Sequence, residues 1–138
     1  MPCASPQYLS AHPAPKTPED LAGHNCFTYE YVTPRNVWRF RDAAGRERAV
    51  RVAGTLHSNN GDLLAEAAAR GAGIVFEPAF IVGPDVRAGR LVPLLQEFTP
   101  PPVPIYAVYP SRKHLSAKVR RFVEFLIARY AQAQDWSS

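Results

Sequence analysis

The chain has 138 residues, 46% of them hydrophobic and 20% charged, with 16 Lys and Arg against 12 Asp and Glu for a net charge of +4. That is the length of one ordinary domain, able to bury roughly two-thirds of the surface its unfolded form exposes. Plentiful aliphatic and aromatic residues exclude a disordered chain, and no apolar run approaches the ~18–20 residues needed to cross hydrocarbon.

Prolines punctuate the chain. Ser5-Pro6 predicts an N-cap followed by Pro at the first helical position, opening a short helix to about Ala11 that stops before Pro13. Thr17-Pro18-Glu19-Asp20 repeats the arrangement, with acids in the first turn where the helix dipole favours them. Cys26-Phe27-Thr28-Tyr29 is a β-prone run. Residues 37–41 and 49–52 alternate in period two around Ala43-Ala44-Gly45, a hairpin with Trp38, Phe40, Val50 and Val52 on its buried face. Then the period changes. Asn59 or Asn60 caps a helix over residues 63–70 that Gly71 ends. Residues 73–76 read as a strand covered on both faces, residues 80–82 as a short helical turn and residues 89–95 as another strand. Residues 100–104 form an extended linker and residues 105–109 a strand. From Ser116, the positions Val119, Phe122, Val123, Leu126, Ile127 and Tyr130 mark a long amphipathic helix. Strands alternating with helices, with a hairpin among them, predict an α/β fold with a mixed sheet flanked by helices.

Motifs that carry chemistry are sparse. Gly71-Ala72-Gly73 precedes a strand instead of following one, which excludes a dinucleotide fingerprint, and no Gly-x-x-x-x-Gly-Lys phosphate loop occurs. His57-Ser58 lacks a Gly-x-Ser-x-Gly elbow and an evident acid partner, so a hydrolase is not read there. His12, His24, His57 and His114 show no zinc spacing with Cys3 and Cys26, and two free thiols fit a reducing cytoplasm. No cofactor and no metal are implied. The bases between Arg112 and Arg129 resemble a nucleic-acid footprint, but aromatic residues do not alternate with them on one face. A solvated helix face is the simpler reading.

What remains is a crevice. In open α/β sheets, ligands bind beyond the carboxyl ends of the strands, beside helix N-termini. The helix start after Asn59-Asn60-Gly61 offers N–H groups and a positive dipole end to an anion, unless it is an ordinary capped helix. The segment Tyr29-Glu30-Tyr31-Val32-Thr33-Pro34 follows another strand end with rings and hydroxyls that suit a small organic acid. Glu77, before Pro78, either caps a strand end in water or faces this crevice.

Several segments, in order, carry a family resemblance. They are Cys3-Ala4-Ser5-Pro6-Gln7-Tyr8-Leu9, then Thr17-Pro18-Glu19-Asp20-Leu21-Ala22-Gly23-His24-Asn25-Cys26, then Gly71-Ala72-Gly73-Ile74 with Pro78 and Gly89-Arg90-Leu91-Val92-Pro93-Leu94-Leu95. Ile105-Tyr106-Ala107-Val108-Tyr109-Pro110 and Lys118-Val119-Arg120-Arg121-Phe122-Val123-Glu124-Phe125-Leu126 complete them. Together they resemble the C-terminal part of the effector-binding (LysR substrate-binding) domain of LysR-type transcriptional regulators. The resemblance implies a lobe like those of type 2 periplasmic binding proteins, in which two α/β lobes joined by crossing strands enclose an inducer. It places the second lobe with its crossing strands in residues 1–110, and in residues 111–138 a long C-terminal amphipathic helix that would pack on the first lobe. The expected function is effector sensing in a bacterial, cytoplasmic regulator, without catalysis. The expected partners are a small organic acid or other small-molecule effector, a second copy in a homodimer, and DNA only through an N-terminal winged helix-turn-helix outside this chain; no membrane is expected. A free-standing solute- or anion-binding module of the periplasmic-binding-protein type is the alternative. Effector contacts are expected at Tyr29, Tyr31, Thr33, Asn59, Asn60 and Pro78.

Overall fold

The structure, a computed structural model, describes residues 1–32, 34, 36–101, 106–108 and 116–131. The chain divides into two compact units, residues 1–102 and 103–138. The first runs β1 (Pro2–Ala4), α1 (Pro6–Ala11), a 3₁₀ helix (Pro18–Gly23), β2 (Thr28–Tyr29), β3 (Val37–Arg41), β4 (Glu47–Arg51), β5 (His57–Ser58), α2 (Gly61–Ala69), β6 (Ile74–Phe76), α3 (Ala79–Arg87) and β7 (Val92–Pro93). The second holds α4 (Ala117–Ala131).

The local rules act where the sequence places them. The Ser5 hydroxyl accepts from the Tyr8 N–H at 3.1 Å to start α1, with Pro6 in the first turn. In the 3₁₀ helix, Asp20 Oδ2 accepts from the N–H groups of Thr17 (2.8 Å) and Lys16 (2.9 Å). Those bonds favour the charged carboxylate and hold its pKa below the usual range. The β3–β4 hairpin pairs Trp38 with Val50 and Phe40 with Arg48. Trp38, Phe40, Val50 and Val52 are all buried, as the alternation predicts.

β1 lies between β6 and β7 and is antiparallel to both, while β2 and β5 pair in parallel. A parallel bridge between Cys26 and Ile74 joins the two groups, with Phe27 N–H donating to the Ile74 carbonyl and Ile74 N–H to the Asn25 carbonyl, each at 2.8 Å. The sheet is therefore mixed, as expected. Gly73 makes the junction possible: a Cβ there would stand 2.4 Å from the Asn25 carbonyl oxygen.

Side chains alternate across this sheet and separate two cores. Ala4, Cys26 and Ile74 face Tyr8, Leu21, Trp38, Phe40 and Leu94. Their neighbours Cys3, Phe27 and Val75 face Leu64, Ala68, Val82 and Leu91 on the side of α2 and α3. Both faces are covered, which is why residues 74–76 read as a continuous apolar run.

Three elements differ from the sequence reading. Residues 80–82 are not an isolated turn but part of the nine-residue α3, which continues through Pro84. Burial of Val82, packing of Val86 and the Asp85–Arg90 ion pair outweigh the lost N–H at Pro84. Of the strand expected over residues 89–95, only Val92–Pro93 pairs. In residues 105–109, Tyr106, Ala107 and Val108 belong to no strand, and Ile105 and Tyr109 lie outside the described residues.

In the second unit α4 has the predicted period. Val119, Phe122, Phe125, Ile127 and Tyr130 are exposed, and Val123 and Leu126 are half-buried. Lys118, Arg120, Arg121 and Arg129 are exposed along the same helix, and Arg121 meets Glu124 at 3.8 Å. Arg112 and Lys113 lie outside the described residues.

Candidate functional site

Strand direction builds the site. β2 and β5 are parallel, and β6 runs parallel to the segment leading into β2, so all three carboxyl ends point the same way. From those ends emerge Glu30, Asn59 and Glu77. α2 begins directly after β5, with its N-terminus beside the same ends.

Tyr29 is half-buried against the α2–α3 core, and its ring meets that of Tyr31 edge-on at a centroid distance of 6.0 Å. Tyr31 is 71% exposed, and its hydroxyl accepts from Asn59 Nδ2 at 3.3 Å. Asn60 is the cap of the pair: its Oδ1 accepts from Asp62 N–H (3.0 Å) and Leu63 N–H (3.3 Å), and its own N–H donates to the Ser58 hydroxyl. Pro78 precedes α3, where its carbonyl accepts from Ile81 and Val82 N–H. The structure thus joins Tyr29, Tyr31 and Asn59 through ring and hydrogen-bond contacts and places Asn60 next to them. Pro78 adjoins the group through its neighbours Glu77 and Ile81. Thr33 lies outside the described residues.

Gly61, the first residue of α2, shows how tightly α3 approaches. A Cβ there would lie 2.7 Å from Ile81 Cδ1 and 3.1 Å from Glu77 Oε2. Glu77 is only 6% exposed, and its Oε1 has no hydrogen-bond partner among the described residues. Burial raises its pKa to about 7, with the Met1 amino group opposing the rise and Asp62 adding to it. The sequence reading left Glu77 open between water and crevice, and its burial beneath the α2 start removes the first option. Among the described residues no group of three or more His, Cys, Asp or Glu side chains could hold a metal ion. His57 Nδ1 bonds the Thr28 hydroxyl, and Ser58 caps the turn to Asn60, so these two are engaged in structure.

A concavity of about 380 Å³ opens elsewhere in the first unit, lined by residues that include His12, Pro15, Lys16, Asp20 and His24. Its imidazoles and the Asp20 carboxylate are already engaged. The Tyr8 hydroxyl meets His24 Nδ1 at 3.1 Å and accepts from Asn25 N–H at 3.2 Å, and His12 Nδ1 bonds the Tyr8 carbonyl. Burial, then the nearby His12, lowers the pKa of His24. The chemistry lies instead at the strand ends, where a polar oxygen lacks a partner.

Parallel strand ends converging on a helix start are the place where open α/β sheets bind ligands. The family model described as the LysR substrate binding domain matches residues 1–131, and the chain belongs to that family. The HTH-type transcriptional regulator DmlR of Escherichia coli (strain K12) is 37% identical over 131 residues, which cover 94% of this chain and 42% of DmlR. The full-length structure of the virulence activator AphB of Vibrio cholerae superposes with a TM-score of 0.79 at 28% identity, covering 94% of this chain and 44% of AphB. The regulatory domain of CrgA from Neisseria meningitidis gives a TM-score of 0.69 at 32% identity, covering 92% of this chain and 62% of that domain. The chain therefore spans less than half the length of the full-length regulators it matches. The expected fold holds, and the matches favour a LysR substrate-binding domain over a free-standing solute-binding module. No described helix is long and apolar enough to cross a membrane.

Proposed function

We propose that the chain is the effector-sensing second lobe of a bacterial LysR-type regulator and that its ligand is a small organic acid. Tyr29, Tyr31, Asn59, Asn60 and Pro78 line its half of the cleft, with Thr33 as the further contact expected from the sequence. The observation that carries this reading is the convergence of three strand ends on the start of α2. The helix brings the positive end of its dipole there, and Tyr31 and Asn59 add groups that bind oxygen. No catalytic role is part of this proposal, which the naming of the similar proteins as transcriptional regulators supports. Residues 1–110 form the lobe, with β1 as its one described crossing strand. Residues 111–138 pack through the α4 stripe on the first lobe of the longer regulator, which works in the cytoplasm as a homodimer. DNA is read by another domain, so this chain alone discriminates no operator sequence, and any binding through its basic helix falls steeply with salt.

One lobe supplies only half the contacts, so affinity of the chain alone is weak, about millimolar or about −4 kcal/mol. An NMR chemical-shift titration with small carboxylates tests the site. Shifts clustered at residues 29–33 and 59–62 support it, and shifts confined to residues 117–131 overturn it.

A further inference from the structure

Glu77 has no role in that reading, yet it is the least satisfied polar group near the site. The residue is more than nine-tenths buried, Oε1 has no partner among the described residues, and Oε2 lies where a Cβ on Gly61, the first residue of α2, would stand 3.1 Å away. Buried polar atoms are almost always paired, so an orphan at a crevice calls for an explanation. The Asn60 cap accepts from the N–H groups of Asp62 and Leu63 in the first turn of α2. The positive end of α2 favours an anion at its rim. Two carboxyl groups oppose that anion, Asp62 at the rim and Glu77 beneath it. Asp62 is exposed and screened by water; Glu77 is not.

We propose that Glu77 is a proton-controlled gate on the effector site: neutral, it lets the α2 start hold an organic anion; ionised, it expels the anion. The proposal rests on the effector reading above and adds to it that binding takes up one proton. Water supplies that proton to the Glu77 carboxylate. The proton offsets one negative charge of the anion. The groups facing Glu77 are the Met1 amino group at the start of the β1 strand and Asp62 on α2, and α3 meets the same spot with the Ile81 side chain. Burial outweighs the Met1 charge, and the carboxyl titrates near neutrality, at about 7. A cationic ligand is disfavoured because it would face the positive end of α2.

The test is a titration of the 138-residue chain with succinate, followed by amide and Glu77 side-chain carboxyl NMR shifts at about pH 6 and about pH 8. If only the neutral form binds, apparent affinity scales with its fraction, and succinate binds about tenfold more weakly at the higher pH. Saturating succinate moves the Glu77 midpoint upward, and Glu77→Gln abolishes the pH dependence. Equal affinity at both pH values, a tenfold dependence that survives in Glu77→Gln, or methylammonium binding that tightens as pH rises each overturns the gate. A Glu77 midpoint at an ordinary carboxylate value in the unmodified chain overturns it without any variant. Should succinate shift residues 29–31 and 59–62 equally at both pH values, the gate alone falls. Should it shift none of them, the effector reading falls with it.

Discussion

Two polar clusters of the first unit form a natural experiment. Around Tyr8, three rings stack or tilt against one another, with His12 at 4.3 Å and His24 at 5.9 Å. There the Tyr8 hydroxyl and both imidazoles have hydrogen-bond partners. At the start of α2 a buried carboxyl group has an oxygen with no partner among the described residues. The first cluster borders a concavity of about 380 Å³, and the second has the unmet bond. A satisfied network holds its elements together and leaves nothing for a ligand; an unsatisfied group costs stability and has something to offer one. Their titration signs also oppose. Folded Glu77 keeps its proton to about 7 against an ordinary 4.5, so the folded chain binds more protons in that window and stability falls as pH rises through it. His24 is depressed below its ordinary 6.5. The unfolded chain then binds more protons below that value, and stability falls as pH drops.

The strongest way to break the comparison is Tyr8→Ala. It removes a buried ring and the hydroxyl that joins His24 to Asn25, and it should cost about 3–5 kcal/mol in urea denaturation. Carboxylate-induced shifts at residues 59–62 should survive in the folded fraction. Their loss would mean that the two clusters are one system.

Next in size is Glu77→Gln. Between about pH 5 and about pH 8 the unmodified chain should lose about 1–3 kcal/mol relative to this variant. His24→Asn should show the mirror image. Asn offers an oxygen to the Tyr8 hydroxyl but no titrating proton, so the variant keeps its stability at pH values below 6.5 where the unmodified chain loses it. Thermal melts across pH decide both signs, and parallel profiles for either variant and the unmodified chain refute that assignment.

Asn60→Ala comes third. It strips the α2 cap and should lower stability by about 1 kcal/mol. Hydrogen exchange should quicken first at Asp62 and Leu63, and unchanged exchange there would show the cap to be dispensable.

What the sequence makes legible follows the range of each interaction. The Ser5 and Asn60 caps, the 43–45 turn and the buried face of the hairpin depend on neighbours a few residues apart, and each stands where the residues indicate. α3 is underestimated because Pro84 argues against a helix locally, while Val82 and Val86 are held by packing against distant partners. β7 is overestimated because Leu91, Leu94 and Leu95 are buried by packing in the two cores rather than by strand pairing. The grouping of Tyr29 and Tyr31 with Asn59 depends on parallel pairing of residues 29 apart, as Thr28 with His57. Strand ends and a helix start point to these residues in the sequence, but the pairing itself is visible only in the structure. Glu77 shows the limit of such reading: its residue type and place before Pro78 are visible, but its missing partner is a property of three elements meeting.

The smallest expected change in stability belongs to the pair at the rim. Tyr31 and Asn59 are exposed and share one 3.3 Å hydrogen bond. Water replaces such a bond readily, so Tyr31→Phe or Asn59→Ala should shift unfolding by less than about 0.5 kcal/mol. Binding should respond differently, because a bound acid orders the rim and partly excludes that water. Each variant should weaken succinate binding by about fivefold, the equivalent of about 1 kcal/mol for one lost hydrogen bond. Together the variants should fall short of the sum, since the hydroxyl and the amide position one another. Denaturation midpoints and the same shift titration supply both numbers. If either variant destabilises the chain as much as Asn60→Ala while succinate binds unchanged, Tyr31 and Asn59 brace the loop, and the acid is held by α2 alone.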